Sequence, residues 1–576
     1  SSLGCDGTWK PISLYQMEFD GNSHVIHFTD GKENCDLNDA FFDVLYESTV
    51  KDLTLNYNIR GDVSSAFAKY ISRSKVSNIS VNGMVRLAKA VLGESFATVN
   101  GVAGYNATKF GALAAYANYS DFEKILFSGA IASENSGSVT QLAPLIGDAS
   151  VIMVNGASVT LDELNCGASV CAGGLMLSEK SKAQVAGLTL EAKRINGTNL
   201  VIGISGHLPD IYASRAHIEK LETTGADKRV SALAHTTSAI AQNEIYDVSV
   251  KLDEVTSAGD LSAMMNTIQA DISAYHLEIG KAKSAKTFYT INAFGNGTKA
   301  VSLKNSEFEV KAYESEAADF VALINAAKMA NINDIKVTLG NIKAKDIYAA
   351  NNSVTAQSKI ANLSVESDQL DAANNLIAFV NTLTDSSIVD SQLRFTKANA
   401  AKNVMVINKS SGSTIEYTGV AFDELTAETA HFLNDSAKDS WSNIAIYANP
   451  KVKTPANDLI VKLSESTLDD IVSMVHQSKL VEGSENYEAV KDHNLGALTA
   501  DNASNVWWYQ RADDETAQAH GGETLTASAF DKSKVDDVIA SLTNWKKKSF
   551  AEDSANVDLP WPDKKPVPPE KPEGGE

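Results

Sequence analysis

One strand-like phrase returns along most of this chain, and it restricts the fold more than any other feature of the sequence. The phrase reads Ser, any residue, apolar, any residue, Asn or Asp or Lys, then alternating apolar residues. Its best pair is Ser74-Lys75-Val76-Ser77-Asn78-Ile79-Ser80-Val81 and Ser358-Lys359-Ile360-Ala361-Asn362-Leu363-Ser364-Val365. Looser copies begin at Ser48, Ser120, Glu244, Ile332 and Ser440. Alternation of apolar and polar residues marks a half-buried strand, and self-similarity along a chain marks a repeat architecture.

The spacing narrows the choice. Asp52 to Asn78 is 26 residues, Asp334 to Asn362 is 28, and Asn78 to Lys124 is 46, which reads as two coils. A period in the twenties is too short for a propeller blade or an α-solenoid repeat and suits one turn of a parallel β-helix. Small apolar stretches between the phrases, such as Gly111-Ala112-Leu113-Ala114-Ala115-Tyr116 and Leu376-Ile377-Ala378-Phe379-Val380, are expected to form the other buried walls. The alternative is a pair of β-sandwiches whose strands are alike by chance. At 576 residues the chain exceeds what one compact core supports, and a stack of coils avoids that limit.

The alternation of a Gly-Ala-Leu-Ala-Ala-Tyr segment with a Ser-x-apolar-x-x-Ile-x-x-x-Gly segment resembles the GLUG-type repeats of bacterial cell-surface proteins. That resemblance implies a right-handed parallel β-helix over about residues 45–450. The later coils lose the glycines, so no ligand-bearing wall is carried over from the family.

The expected fold class is therefore mainly β, a parallel β-helix (β-solenoid) at 45–455 with an N-terminal cap at 1–44. A helix-containing C-terminal region is expected at 456–550, and a Pro-rich extended tail at 551–576. The helical expectation rests on Ser466-Thr467-Leu468-Asp469 as a capping box before Ile471, Val472, Val475 and Leu480. A second helix is suggested by Val535, Val538, Ile539, Leu542 and Trp545, ending in Lys546-Lys547-Lys548. The tail from Pro560 resembles the spacer before a Gly-Gly-type sorting signal.

Cysteine usage suggests a compartment. Cys5, Cys35, Cys166 and Cys171 form two local pairs without a CxxC motif, so disulfides Cys5–Cys35 and Cys166–Cys171 in an oxidising, extracellular setting are expected. Lipidation of Cys5 is the alternative for that residue. No run of 18 apolar residues occurs, so no transmembrane segment is expected, and the opening Ser1-Ser2-Leu3-Gly4-Cys5 reads as a mature N-terminus.

The candidate chemical motifs do not add up to a catalytic site. Tyr105-x-x-x-Lys109 with Ser95 looks like the catalytic element of short-chain dehydrogenases, but the Gly-rich strand-turn-helix that such an enzyme needs for pyrophosphate is missing. Gly203-Ile204-Ser205-Gly206-His207 and Gly295-Asn296-Gly297-Thr298-Lys299 read as turns. His24 and His27 are the one close histidine pair, and on a strand they point to opposite faces. The oxygen-rich stretch 30–39 lacks calcium-loop spacing and reads as a solvated loop. Trp507-Trp508-Tyr509 reads as cap packing rather than as a sugar platform.

With 72 acidic and 50 basic residues the formal charge is −22, which opposes nucleic acid and anionic polymers. Two functions remain. One is a non-catalytic, secreted structural protein of a bacterial cell surface or extracellular matrix that assembles with copies of itself. The other is a carbohydrate-binding or polysaccharide-lyase-like β-helix, with extracellular polysaccharide as partner. No organic cofactor is expected. Calcium is the ion that exposed carboxylates would share between chains, and the tail after Pro560 is the expected strap between copies.

Overall fold

In the computed structural model the chain is described at residues 9–28, 40–60, 63–87, 109–133, 140–237, 243–452, 463–464, 467–476, 506–511 and 517–521. These divide into two compact units between Lys281 and Ala282. Each unit is a stack of parallel β coils, and no helix occurs among the described residues.

In the first unit one wall is a ladder of long parallel strands: Glu18–Phe28, Thr49–Arg60, Lys75–Leu87, Ser120–Ser133, Ala149–Asn165, Leu177–Gly197, Asp210–Thr223 and Asn243–Ser257. A second wall stacks short strands, Lys109–Gly111, Gln141–Ala143, Val170–Ala172, Val201–Ile202, Val230–Ser231 and Leu261–Ile268. In the second unit the long wall runs through Val301–Ser315, Ala330–Ala344 and Lys359–Ala372 to Thr414–Ala427, Ser440–Val452 and Thr467–His476. Its short wall includes Phe320–Lys328, Leu376–Thr384, Asn403–Ser411 and Thr429–Ala437. Each coil advances the stack by one inter-strand spacing, about 4.8 Å.

The repeated phrase encodes two bends per coil. Its opening Ser is a buried corner, and the residue before it is left-handed: Glu47, Arg73 and Tyr119 in the first unit, Gln357 and Asp385 in the second, with φ between 46° and 63°. Turning the chain strands an N–H, and the serines satisfy it across coils. Ser48 N donates to Ser74 Oγ and Ser74 N to Ser120 Oγ, both at 3.1 Å, while Ser74 Oγ donates to Ser72 O at 2.7 Å. Ser386 N donates to Ser413 Oγ at 3.3 Å in the same manner.

The second bend is the Asn or Asp position. Asp52, Asn78, Lys124, Asp247, Asn305, Asp334 and Asn362 all sit at φ between 47° and 56°, where Asn and Asp are tolerated best among non-glycine residues. This residue does not alternate, so Val76 and Ile79 both face inward although three apart, followed by Val81; all three are at most 1% exposed. Asn78 and Asn362 have the same φ, 51°, and each donates Nδ2 to the Asp of the coil before it, Asp52 and Asp334, at 2.5 Å.

Two expectations are corrected. The 46 residues from Asn78 to Lys124 are one coil: Ile79 pairs with Ile125 and Val81 with Phe127, and the additional residues fall at 88–108, outside the described residues. The segment from Thr467 is a strand, not a helix, and pairs in parallel with Ser440–Val452, Leu468 opposite Trp441 and Ile471 opposite Ile444. In sequence, Leu468 and Ile471 repeat the three-residue apolar spacing of Val76 and Ile79, a spacing that the phrase shares with a helix. The proposed second helix at 535–548 and the tail lie outside the described residues. Coil strands already run at Ile12–Tyr15 and Glu18–Phe28, within the segment read as a cap. At the far end Val506–Arg511 closes against the antiparallel Ala517–Gly521.

Glycine is demanded at one close approach. Gly83 (φ 138°) and Gly129 (φ 152°) stack on Tyr57, and a Cβ at either would lie 1.7 Å from the carbonyl oxygen of the coil before it.

Candidate functional surface

The long wall of the first unit presents charged side chains in register, so ion pairs form as rungs between coils. Lys193 Nζ lies 2.6 Å from Asp162 Oδ1, Arg215 reaches Asp247 at 2.5 Å, and Arg194 binds Glu222 and lies 3.7 Å from Glu163. Lys220 reaches Glu222 at 3.0 Å. His217 stands between Glu191 (3.2 Å from Nδ1) and Asp253 (3.0 Å from Nε2), spanning three coils. Carboxylates outnumber the cations on this face, and Glu219 and Glu254 are also exposed there. Burial pushes the Glu222 carboxyl up, but hydrogen bonds from Arg194 and Lys220 outweigh it and hold the group below the usual range.

A second polar group gathers where the short-wall strands of the first unit begin. Lys109 Nζ pairs with Asp148 Oδ2, and Asp148 is 7% exposed. Burial raises the Asp148 pKa, with Lys109 and His207 pulling the other way. His207 Nδ1 lies 3.0 Å from Thr236 Oγ1, and burial, then Arg229 and His207, push His235 down to about 4. Lys109 thus has a carboxylate as ion-pair partner; Tyr105 and Ser95 lie outside the described residues.

The second unit also has ion pairs between coils, Lys343–Glu316 and Lys345–Asp319, but its short wall is joined by carboxamides. Asn325 donates to Asn292, Asn352 to Asn325, Asn381 to Asn352, Asn408 to Asn381 and Asn434 to Asn408, each from Nδ2 to Oδ1 at 2.7–2.9 Å. A shorter ladder runs from Asp346 through Asn375 to Asn403, both steps 2.8 Å. These ladders are not among the sequence-based expectations, although the near-regular spacing of Asn352, Asn381, Asn408 and Asn434 would have signalled them.

The other expected residues fall as follows. Cys166 and Cys171 are disulfide-bonded with Cα atoms 6.0 Å apart; Cys5, Cys35 and the stretch 30–39 lie outside the described residues. His24 and His27 are both exposed on Glu18–Phe28. Trp507, Trp508 and Tyr509 lie on the closing strand Val506–Arg511. Gly295 and Gly297 make the expected turn with φ of 76° and 81°, whereas Ser205-Gly206-His207 belongs to a strand, Ser205–Leu208, paired with Ala234–Thr237. Among the described residues no three His, Cys, Asp or Glu side chains are grouped to hold a metal ion, and no helix is long and apolar enough to cross a membrane. No protein-family model, curated protein or solved structure matches the chain.

Proposed function

We propose that this chain is a non-catalytic, exported structural protein that assembles with copies of itself on a cell surface or in an extracellular matrix. The observation that carries this reading is the acidic long wall of the first unit, where Asp162, Glu163, Glu191, Glu219, Asp253 and Glu254 outnumber their cationic neighbours. At −22 the copies repel one another, while Ca²⁺ accepts oxygen ligands from two chains and removes that repulsion where it binds. Monovalent salt helps less, because at ~0.15 M the Debye length is already about 8 Å and simple screening is largely in place. The paired side chains serve the stack itself: serines close corners, amides and ions join coils.

Sedimentation velocity of the full chain and of a chain ending at Asp558, each in calcium and in chelator, tests the reading. Calcium-dependent association of the full chain is expected, weakened in the shorter chain. A monomer in all four conditions refutes assembly, and equal association of both chains refutes the strap. Substituting Glu219, Asp253 and Glu254 by Gln, Asn and Gln should reduce the calcium response; an unchanged response would move the contact off this wall.

A further inference from the structure

We infer that Asn296 is an acceptor site for N-linked glycan, taking an oligosaccharide from a lipid-phosphate donor. The inference rests on the proposed export of the protein, since that is where such donors are met.

Asn296-Gly297-Thr298 is an Asn-x-Thr sequon on the turn between Phe288–Phe294 and Val301–Ser315. Asn296 and Thr298 are both exposed, as are Lys299 and Ala300. The turn is flanked by left-handed glycines, Gly295 and Gly297, so the backbone can open for an enzyme without dragging a side chain through a forbidden region. Phe294, fully buried, anchors its first end. Thr298 donates twice to Asn296 Oδ1, from its backbone N at 2.9 Å and from Oγ1 at 2.6 Å. Two donors on the carbonyl oxygen polarise the carboxamide, and Nδ2 makes no hydrogen bond among the described residues. The sequon thus presents its nucleophilic atom to solvent with its hydroxyl already engaged.

Seven other sequons among the described residues differ. Asn118 is half-buried with its Oδ1 enclosed, and Asn196 is half-buried on Leu177–Gly197, where the amide orientation that satisfies both its ends donates Nδ2 to Leu164 O at 3.1 Å. Asn351 is fully buried. Asn408 and Asn434 hold Nδ2 in the carboxamide ladder. Asn78 and Asn362, though exposed, donate Nδ2 to Asp52 and Asp334. Glycosylating any of the last four would cost a bond between coils, whereas Asn296 has none to lose.

In the transfer, Asn296 Nδ2 forms a bond to the anomeric carbon of the sugar. The bond from that carbon to the lipid phosphate oxygen breaks, its electron pair leaves with the phosphate, and the Nδ2 proton passes to a base of the transferase. Nothing is oxidised or reduced.

The test uses the folded full-length protein, a purified single-subunit oligosaccharyltransferase that accepts Asn-x-Thr, and a lipid-linked oligosaccharide. Intact-mass and peptide mass spectrometry should find one glycan on the tryptic peptide 287–299. Asn296→Gln and Thr298→Ala should abolish it and Thr298→Ser retain it, with circular dichroism unchanged in all three. An unmodified 287–299 peptide in the folded protein, or modification of Asn78 and Asn362 to the same extent, overturns the assignment. Cell fractionation tests the export reading separately: a cytosolic protein that still accepts glycan at Asn296 in vitro would sink the export and leave the acceptor geometry standing.

Discussion

The two units join their coils in different ways. On the long wall of the first, Lys193–Asp162 and the Arg194–Glu222–Lys220 cluster form ionic rungs; in the second, which also pairs Lys343 with Glu316 and Lys345 with Asp319, short-wall carboxamides from Asn292 to Asn434 repeat one bond with one geometry. Exposed ion pairs contribute little and are screened by salt, about 0–1 kcal/mol each. A half-buried amide that both gives and accepts has no charge to screen. The ionic face keeps surplus carboxylates available to another molecule, while the amide face satisfies itself. The long wall of the first unit is therefore where binding of cations and of further copies is expected, and the amide ladder of the second where resistance to salt and pH is expected.

The sharpest way to break this contrast is in the backbone of the first unit. Gly83→Ala places a Cβ against Tyr57 O, an approach that no rotamer change relieves. It is expected to unfold the coils around Thr49–Arg60 and Lys75–Leu87, read as lost protection in hydrogen exchange at 49–87. Retained protection there would mean the strands can separate at small cost.

Next in size are changes in the second unit. Asn381→Leu removes the partner of both Asn352 and Asn408 and should cost about 1–3 kcal/mol, independent of salt between low and high ionic strength. A salt-dependent loss would erase the distinction between the two faces. The opposite sign is expected at Asn351. It is fully buried, neither of its side-chain polar atoms has a hydrogen-bond partner among the described residues, and its column is otherwise aliphatic: Ile324 before it, Val380 and Ile407 after. Asn351→Val should stabilise by about 1–3 kcal/mol in chemical denaturation. A loss of stability would show that the amide is satisfied in solution.

The smallest effect belongs to the ionic rungs. Glu222 has a depressed pKa when folded, so its contribution is present above its ordinary value of 4.5 and is lost as the pH falls through the depressed value. Arg194→Met should flatten that acid limb and reduce the salt dependence of stability, with a loss on the order of 1 kcal/mol at neutral pH. Asp210 works the other way: burial raises its pKa, so its ionised form opposes folding increasingly as pH rises from below 3.8 through the raised value, and Asp210→Asn should flatten that slope. An unchanged acid limb in Arg194→Met would remove the rungs from the pH response.

Much of this was legible in the phrase itself. Its alternation named the long-wall strands, whereas the two bends at Ser74 and Asn78 were hidden inside what reads as one continuous strand. The same phrase misled at Thr467, because its apolar residues fall three apart, as Val76 and Ile79 do around the left-handed Asn78, and three is also the step of a helix. The 46-residue interval was misread because length alone does not separate two coils from one coil with an excursion. Lys109 and Asp148 could not be paired from sequence: they lie 39 residues apart, Lys109 at the start of a short-wall strand and Asp148 in the bend after Gln141–Ala143, and the stacking of Lys109–Gly111 beside Gln141–Ala143 brings them together.

The most direct measurement of the central claim is negative-stain electron microscopy of the purified protein with calcium and with chelator. Ordered arrays or filaments in calcium that disperse in chelator are the expected result; single, unassociated particles in both conditions would contradict it.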